Sequence, residues 1–310
     1  MFAILYVAPD GSGQYPTIQE AVSAAHDGDE IQLGEGTFIG PGNWDVDFQG
    51  KDLSIYSRSH DADSCIVEAY DVKGYRHQGF IFDQDEIVHI EQVGFSGSND
   101  MLPFSKGVVC VEGTAKITLQ DCAFINAQGT GAYCGGGELN ILHYHFGGNY
   151  AAMNPGCING LGGFVTIKDS SFQNNGNDGG AAYIQNGYLK NCSFHNNSAY
   201  SWGGSLIAGG GVLAEDCHFS GFAAFNGGAV VAFGGSTFRR CSFYAEGAYP
   251  VEGIYASGSP GHCVTLDSCT WDEIETAGCV RIMENHLIPD PLESLSLDSQ
   301  SWGKIKAAYR

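Results

Sequence analysis

Ile117-Thr118-Leu119-Gln120-Asp121-Cys122-Ala123-Phe124 is the stretch that decides the fold. Its first half alternates with period two, so on a strand Ile117 and Leu119 share one face and Thr118 takes the other. Gln120 and Asp121 then break the alternation. A flat strand would bury one of them, so the chain turns a corner there with both polar side chains outside. Alternation resumes beyond it, with Cys122 and Phe124 inside and Ala123 outside.

The phrase recurs along the chain. Phe95, Phe124, Phe146, Phe172, Phe194, Phe219, Phe243 and Trp271 close eight copies spaced 22 to 29 residues apart, a period that marks stacked repeats. Polar pairs recur at the corner: Lys168-Asp169, Lys190-Asn191, Glu215-Asp216, Arg239-Arg240 and Asp267-Ser268. A third segment, led by glycines, follows in several copies, as in Gly179-Gly180-Ala181-Ala182-Tyr183, Gly203-Gly204-Ser205-Leu206-Ile207 and Gly227-Gly228-Ala229-Val230-Val231. Three short strands per repeat describe one coil of a single-stranded parallel β-helix. One coil cannot bury its own apolar face, whereas stacked coils share a continuous core. Ten to twelve coils, about 4.8 Å apart, give an all-β rod of about 50 Å. The 45 glycines suit its corners.

Alignment of the copies predicts columns. Cys122, Cys192, Cys217, Cys241 and Cys269 form a thiol column inside, with Val93, Tyr144 and Ser170 in its place elsewhere, and the aromatics form a second column. Asn174-Asn175 and Asn196-Asn197 predict an amide ladder along the axis. Of the 11 cysteines, several recur at this inner position, so most read as reduced core residues. No CxxC or zinc-ribbon spacing occurs. Disulfides and compartment stay open on this reading.

The ends need covers, because an exposed strand edge templates association. Thr17 and Glu20 fit a capping box, and Ile18, Ala21, Val22 and Ala25 share one helical face, so a capping helix is expected over 17–25. The β-helix with this cap is expected to run over 1–284. Pro289 and Pro291 end the repeat, leaving 285–310 as an irregular or helical capping tail. Trp302, Ile305 and Tyr309 share one face of a short helix after Ser301.

Asp and Glu number 35 against 14 Lys and Arg, a formal charge of −21. Nucleic acid needs a basic stripe and is an unfavourable partner. Anionic polysaccharide without a bridging cation is disfavoured too. No run of 18 apolar residues occurs, so no membrane insertion is expected. Met1–Val7 reads as a first strand rather than a signal peptide.

Two family resemblances accompany these patterns. Tyr6-Val7-Ala8-Pro9-Asp10-Gly11-Ser12-Gly13-Gln14-Tyr15-Pro16-Thr17-Ile18-Gln19-Glu20-Ala21-Val22, with Gly28-Asp29-Glu30-Ile31, resembles the N-terminal cap of pectin methylesterases and of the wider pectin-lyase-like superfamily. That resemblance implies a right-handed coil. Phe172-Gln173-Asn174-Asn175 and Phe194-His195-Asn196-Asn197 resemble the FxxN motif of polymorphic outer-membrane proteins, and the Gly-Gly segments resemble their GGA(I/L/V) motif. Those are surface-displayed passengers, which implies an extracellular or cell-surface location. The esterases' Gly-x-Val-Asp-Phe-Ile-Phe-Gly and Leu-Gly-Arg-Pro-Trp stretches are missing; Asp45-Val46-Asp47-Phe48 is only an echo of the first. No catalytic residue is carried over.

Candidate chemistry is sparse. Asp121, Asp169 and Asp216 stand about two coils apart at the corner, near 10 Å, and cannot share an ion. Asp267, Asp272, Glu273 and Glu275 are the candidate metal ligands, and Ca²⁺ is the one cofactor they suit, though it needs six to eight oxygens. A solvated acidic surface is the plainer reading. Asp216 and Arg240 read as a ladder salt bridge. His143 and His145 flank Tyr144; a corner after His143 makes the imidazoles diverge, with no acidic partner in the local sequence. His195 and His218 lie on opposite sides of the repeat aromatic. Tyr200, Phe225 and Tyr249 recur six residues past the aromatic, with Trp202 close by. Outward, they make a strip for sugar stacking or for a partner protein; inward, they extend the core. The small residues beside the aromatic (Gly94, Ala123, Ser171, Ser193, Ser242, Thr270), interrupted by His145 and His218, predict a flat flank open to self-association.

The favoured reading is a non-catalytic extracellular or cell-surface β-helix protein that binds polysaccharide or a surface protein, or builds a surface layer. The alternative is a carbohydrate-active enzyme, a polysaccharide lyase or glycoside hydrolase. Carboxylates within reach of one another would favour the enzyme.

Overall fold

The structure is a computed structural model. It describes the chain except residues 1, 71–76, 98–106, 126–128, 152–155, 178–179, 201, 224–226, 246–252, 272–273, 284–294, 298–302 and 306–310.

The coil deduced from one octapeptide is what the chain builds. Strand Lys116–Gln120 pairs in parallel with Ile87–Glu91 on one side and Glu138–Leu142 on the other, Ile117 opposite Val88 and Leu139. Such pairing runs from Ile4–Val7 to Val280–Met283 through twelve rungs, here named the middle ladder. A second ladder carries the repeat aromatics, from Gly36–Phe38 to Thr270–Trp271. The third, glycine-led ladder runs from Val46–Asp47 to Ile274–Gly278. Ten to twelve coils is thus the observed height. Three long strands, Ile158–Lys168, Ala182–Lys190 and Leu206–Glu215, serve the glycine-led and middle ladders in turn, with register shifts where they bend.

The corner has a sharper definition than its polarity suggests. Gln92, Asp121, His143, Asp169, Asn191, Asp216, Arg240 and Ser268 all take φ between 51° and 57°. Each is the second residue of its corner pair, polar in every copy except Leu142-His143, and stands alone in the left-handed region. Glycine is the residue expected there, yet none occupies these eight positions. A side chain is kept at the corner because it joins the ladder outside, as described below. Glycine holds the other turn: Gly180, Gly203 and Gly227 have φ of 70°, 54° and 59°, and a Cβ on Gly180 would strike the Gly203 carbonyl oxygen.

The left-handed corner also explains the thiols. It leaves the carbonyl two residues before the thiol facing inward. Sγ of Cys122, Cys192, Cys217, Cys241 and Cys269 donates to the carbonyls of Gln120, Lys190, Glu215, Arg239 and Asp267, at 3.2–3.4 Å. Ser170 Oγ does the same to Lys168 at 2.7 Å. A small side chain with a weak donor fits this place, and burial pushes the Cys122 thiol up to about 12. These cysteines are free, whereas Cys263 and Cys279 form a disulfide between adjacent coils.

Tyr144 is the misfit in the column. It is buried among Phe124, Phe146 and Cys122, and its hydroxyl has no hydrogen-bond partner among the described residues. An unpaired buried hydroxyl costs about 1–3 kcal/mol. Tyr144→Phe is expected to raise unfolding stability by about 1 kcal/mol, read by urea denaturation; a loss of stability would show that the hydroxyl is engaged.

The aromatic column is continuous. Phe124, Phe146, Phe172, Phe194, Phe219 and Phe243 stack at centroid distances of 4.2 to 5.5 Å. Beside it runs the amide ladder. Asn175 Oδ1 accepts from Asn149 N and Nδ2, while Asn175 Nδ2 donates to Asn197 Oδ1 at 2.9 Å and to the Phe146 carbonyl at 3.2 Å.

At the N-terminus, helix Ile18–Ala24 covers the first coil, its N-cap Thr17 accepting from Glu20 N at 3.2 Å. The C-terminal expectation is corrected. Where a helix was expected after Ser301, Gly303–Ile305 is a strand antiparallel to Ile274–Gly278, and Leu295–Leu297 pairs antiparallel with Val280–Met283. The open edge of the last coil presents unpaired peptide groups, and pairing with them outweighs a short helical pattern. Trp302 and Tyr309 lie outside the described residues. Among the described residues no helix is long and apolar enough to cross a membrane.

Candidate functional site

Alternation sends every second side chain of a strand outward, and register then aligns those side chains between coils. On the glycine-led ladder this produces a stripe: Tyr133, Asn159, Tyr183, Ile207, Val231 and Tyr255 stand opposite one another in succession. The stripe points away from the β-helix interior and is largely apolar; Tyr133, Tyr183 and Ile207 are half-buried, whereas Asn159, Val231 and Tyr255 are buried. Trp202 packs edge-on to Tyr255, with ring centroids 6.1 Å apart at 79°. Trp202 remains 41% exposed and Tyr200 66%. The two are therefore outside the core, which decides between the two orientations open to them in sequence. Phe225 and Tyr249 lie outside the described residues.

The long strands carry this face round the bend to a polar ridge on the middle ladder. There Lys168, Lys190, Glu215, Arg239 and Asp267 are in register. Glu215 accepts from the Tyr188 hydroxyl at 2.8 Å and lies 3.4 Å from Arg239. The Tyr188 hydrogen bond, and then Arg239, hold its carboxyl below the usual range. Arg239 also lies 3.6 Å from Asp267, and Lys168 Nζ sits 5.8 Å over the Tyr188 ring.

The corner column runs alongside. Arg240 grips Asp216 with two hydrogen bonds, of 2.6 and 2.8 Å, as the sequence pattern implied. Those bonds depress the Asp216 carboxyl. Asn191 Nδ2 donates to Asp169 Oδ1 at 3.0 Å. His143 requires a correction. It lacks an acidic neighbour in sequence but stands between two in space, with Nδ1 3.5 Å from Asp121 and Nε2 3.9 Å from Asp169. Stacking supplies the partners, one from the coil before and one from the coil after. His145 diverges from it, as expected, and pairs through Nδ1 with Ser171 Oγ at 2.8 Å. His218 pairs likewise with Ser242 at 2.6 Å.

Of the candidate metal ligands, Asp267 ends a middle-ladder strand and Glu275 lies on the glycine-led ladder. Asp267 faces Arg239 and accepts from Ser268 Oγ at 3.0 Å. Asp272 and Glu273 lie outside the described residues. A different acidic group forms in the first coils: Asp47, Asp83 and Glu86 place one carboxylate oxygen each within 4.8 Å of the others. Glu86 is buried, and its two oxygens accept from the backbone of Gly50 and Gln84 at 3.2 and 3.0 Å. Asp47 Oδ1 accepts from Gln49 N. The trio thus clamps two turns, and offers three of the six to eight ligands calcium requires. Sequence reading missed it because the members meet only through stacking across an unusually long coil. Beside it, His77 Nδ1 bonds Asp45 at 2.6 Å and its ring stacks on Trp44, centroids 4.1 Å apart.

The family described as "Right handed beta helix region" matches residues 156–286. Solved structures similar to the chain include a pectin methylesterase from carrot, at 10% identity over 88% of this chain and 82% of that one, TM-score 0.37. A pectate lyase is 15% identical over 90% and 77%, TM-score 0.42. An alginate lyase from Paenibacillus is 11% identical over 92% and 98%, TM-score 0.40. No curated protein sequence matches the chain.

Proposed function

We propose that this parallel β-helix, whose residues 156–286 match the family described as "Right handed beta helix region", is a non-catalytic extracellular or cell-surface rod that binds glycan. The observation that carries this reading is the exposure of Tyr200 and Trp202 beside the Tyr183–Tyr255 stripe. Large rings left in water by a chain that buries its repeat aromatics so thoroughly are suited to the apolar faces of sugars. The Cys263–Cys279 disulfide fits an oxidising compartment.

The test is a glycan array on the whole chain, with and without Ca²⁺, followed by titration of the best ligand. Tyr200→Ala with Trp202→Ala is expected to weaken binding at least tenfold, while far-UV circular dichroism stays unchanged. Undiminished binding by that variant would remove these rings from the site.

A carbohydrate-active enzyme is the second reading. It is favoured by the carboxylates of Asp47 and Asp83, which come within the reach that hydrolases use. Release of reducing or unsaturated ends from any polysaccharide on the array would establish it and overturn the first.

A further inference from the structure

Cys192, Cys217, Cys241 and Cys269 stand opposite one another on successive coils, since the residues that follow them pair Ser193 with His218, His218 with Ser242 and Ser242 with Thr270. Their backbones are therefore about 4.8 Å apart, inside the window of about 4.4–6.8 Å between α-carbons that a disulfide spans. The molecule uses this geometry once already. Cys263 and Cys279 precede the paired strands Val264–Asp267 and Val280–Met283, and are bonded with their α-carbons 4.6 Å apart.

The four thiols of the column are free, and they are not equivalent. Cys192, Cys217 and Cys241 are each 2% exposed, whereas Cys269 is half-buried. Cys269 also leans toward Cys241. Its Sγ lies 3.3 Å from the carbonyl of Phe238, which belongs to the coil of Cys241. A reagent in solution therefore meets the column at Cys269, and the thiol beneath it is Cys241.

We infer that Cys241 and Cys269 are a site of oxidation by low-molecular-weight disulfides, the product being a second disulfide between adjacent coils. The Cys269 thiolate attacks one sulfur of the reagent, forming a mixed disulfide and releasing one thiolate. The Cys241 thiolate then attacks the Cys269 sulfur and releases the other. The two thiol protons pass to the departing thiolates, and the reagent gains the two electrons that the cysteines give up. Cys192 and Cys217, deeper in the column, stay reduced. Strand Val264–Asp267 is then tied at both ends, through Cys263 to the coil above and through Cys269 to the coil below. The last coil of a solenoid has a neighbour on one side only, so a staple adds most there. The inference is independent of glycan binding.

The experiment treats the whole chain with oxidised glutathione, blocks remaining thiols with iodoacetamide under denaturing conditions, and maps the linked peptides. Digestion after acidic and basic residues puts Cys192, Cys217, Cys241, Cys263, Cys269 and Cys279 on separate peptides. The expected result is a Cys241–Cys269 link beside Cys263–Cys279, with Cys192 and Cys217 alkylated. Cys122, which has Val93 and Tyr144 opposite it in place of thiols, should be alkylated too. A second readout uses Cys269→Ser, a substitution the column accepts because Ser170 already makes the same bond to its own corner carbonyl. Dithiothreitol should lower the melting temperature of the treated wild type by about 5 °C more than that of the treated variant, which has only Cys263–Cys279 to lose. Alkylation of both Cys241 and Cys269, a Cys217–Cys241 link instead, or glutathione retained on Cys269 overturns the inference. Equal falls in melting temperature for the two chains overturn it as well.

Discussion

Phe172→Ala is expected to lower the free energy of unfolding by about 4 kcal/mol, within the range of phenylalanine truncations in well-packed cores. Phe172 lies 4.3 Å from Phe146 and 4.2 Å from Phe194, with interplanar angles of 8° and 4°, so its ring is sandwiched on both faces. Neither neighbour can collapse into the gap without leaving its own stack, because each is fixed in register by flanking strands. The cavity contribution therefore persists. In a solenoid each coil touches only its neighbours, so the same lesion also weakens coupling between the halves of the rod. Urea denaturation should show an earlier midpoint and a broader transition. Phe172→Leu, which refills much of the volume, should recover more than half of the loss. A midpoint equal to wild type for the alanine variant would show that the stack is not what holds the coils together.

Asn175→Ala should cost a similar amount, about 4 kcal/mol, through a different mechanism. The side chain is buried, and four hydrogen bonds depend on it: two from Asn149, one to Asn197 and one to the Phe146 carbonyl. Truncation removes the acceptor used by the Asn149 N–H and the side-chain donor to the Phe146 carbonyl, at about 1–3 kcal/mol for each buried group left short of a bond. The structure supplies its own comparison. Ser220, further along the rod, donates to the Phe194 carbonyl as the asparagines do to the carbonyls of Phe124, Phe146 and Phe172. Asn175→Ser should accordingly satisfy the Phe146 carbonyl but not Asn149, and fall between wild type and alanine. Hydrogen exchange resolves this locally: the amide of Asn149 should lose protection in both variants. An Asn149 amide that remains protected in the alanine variant would contradict the ladder.

These columns were legible because each is a residue type repeated once per coil. In successive coils a Phe recurs on the second ladder, a Cys two residues before it and an Asn three residues after it, and one octapeptide suffices to assign inside and outside. The left-handed corner was half legible. Its polarity was plain, but its conformation was not, since Gln, Asp, His, Asn, Arg and Ser all occupy it and none forces a positive φ. What sequence could not show is what register assembles from distant positions. His143 meets Asp121 and Asp169 from 22 and 26 residues away. Asp47 meets Asp83 and Glu86 across a long coil that breaks the period. The stripe through Tyr183, Ile207, Val231 and Tyr255 was hidden for the opposite reason. Its strands are apolar on both faces, so period-two patterning gave no sign of which side met water. The C-terminal strands were hidden by an accidental helical spacing of Trp302 and Ile305.

The corners have one more consequence. Equivalent corner residues are separated by 22 to 26 positions between Asp121 and Arg240. An in-frame duplication or deletion cut at two of them therefore inserts or removes one complete turn, with the stacked rings, amides and thiols meeting as before. The reach of the molecule can thus change by about 4.8 Å at a time without any new packing solution. Lineages carrying this scaffold can then set its span by recombination alone.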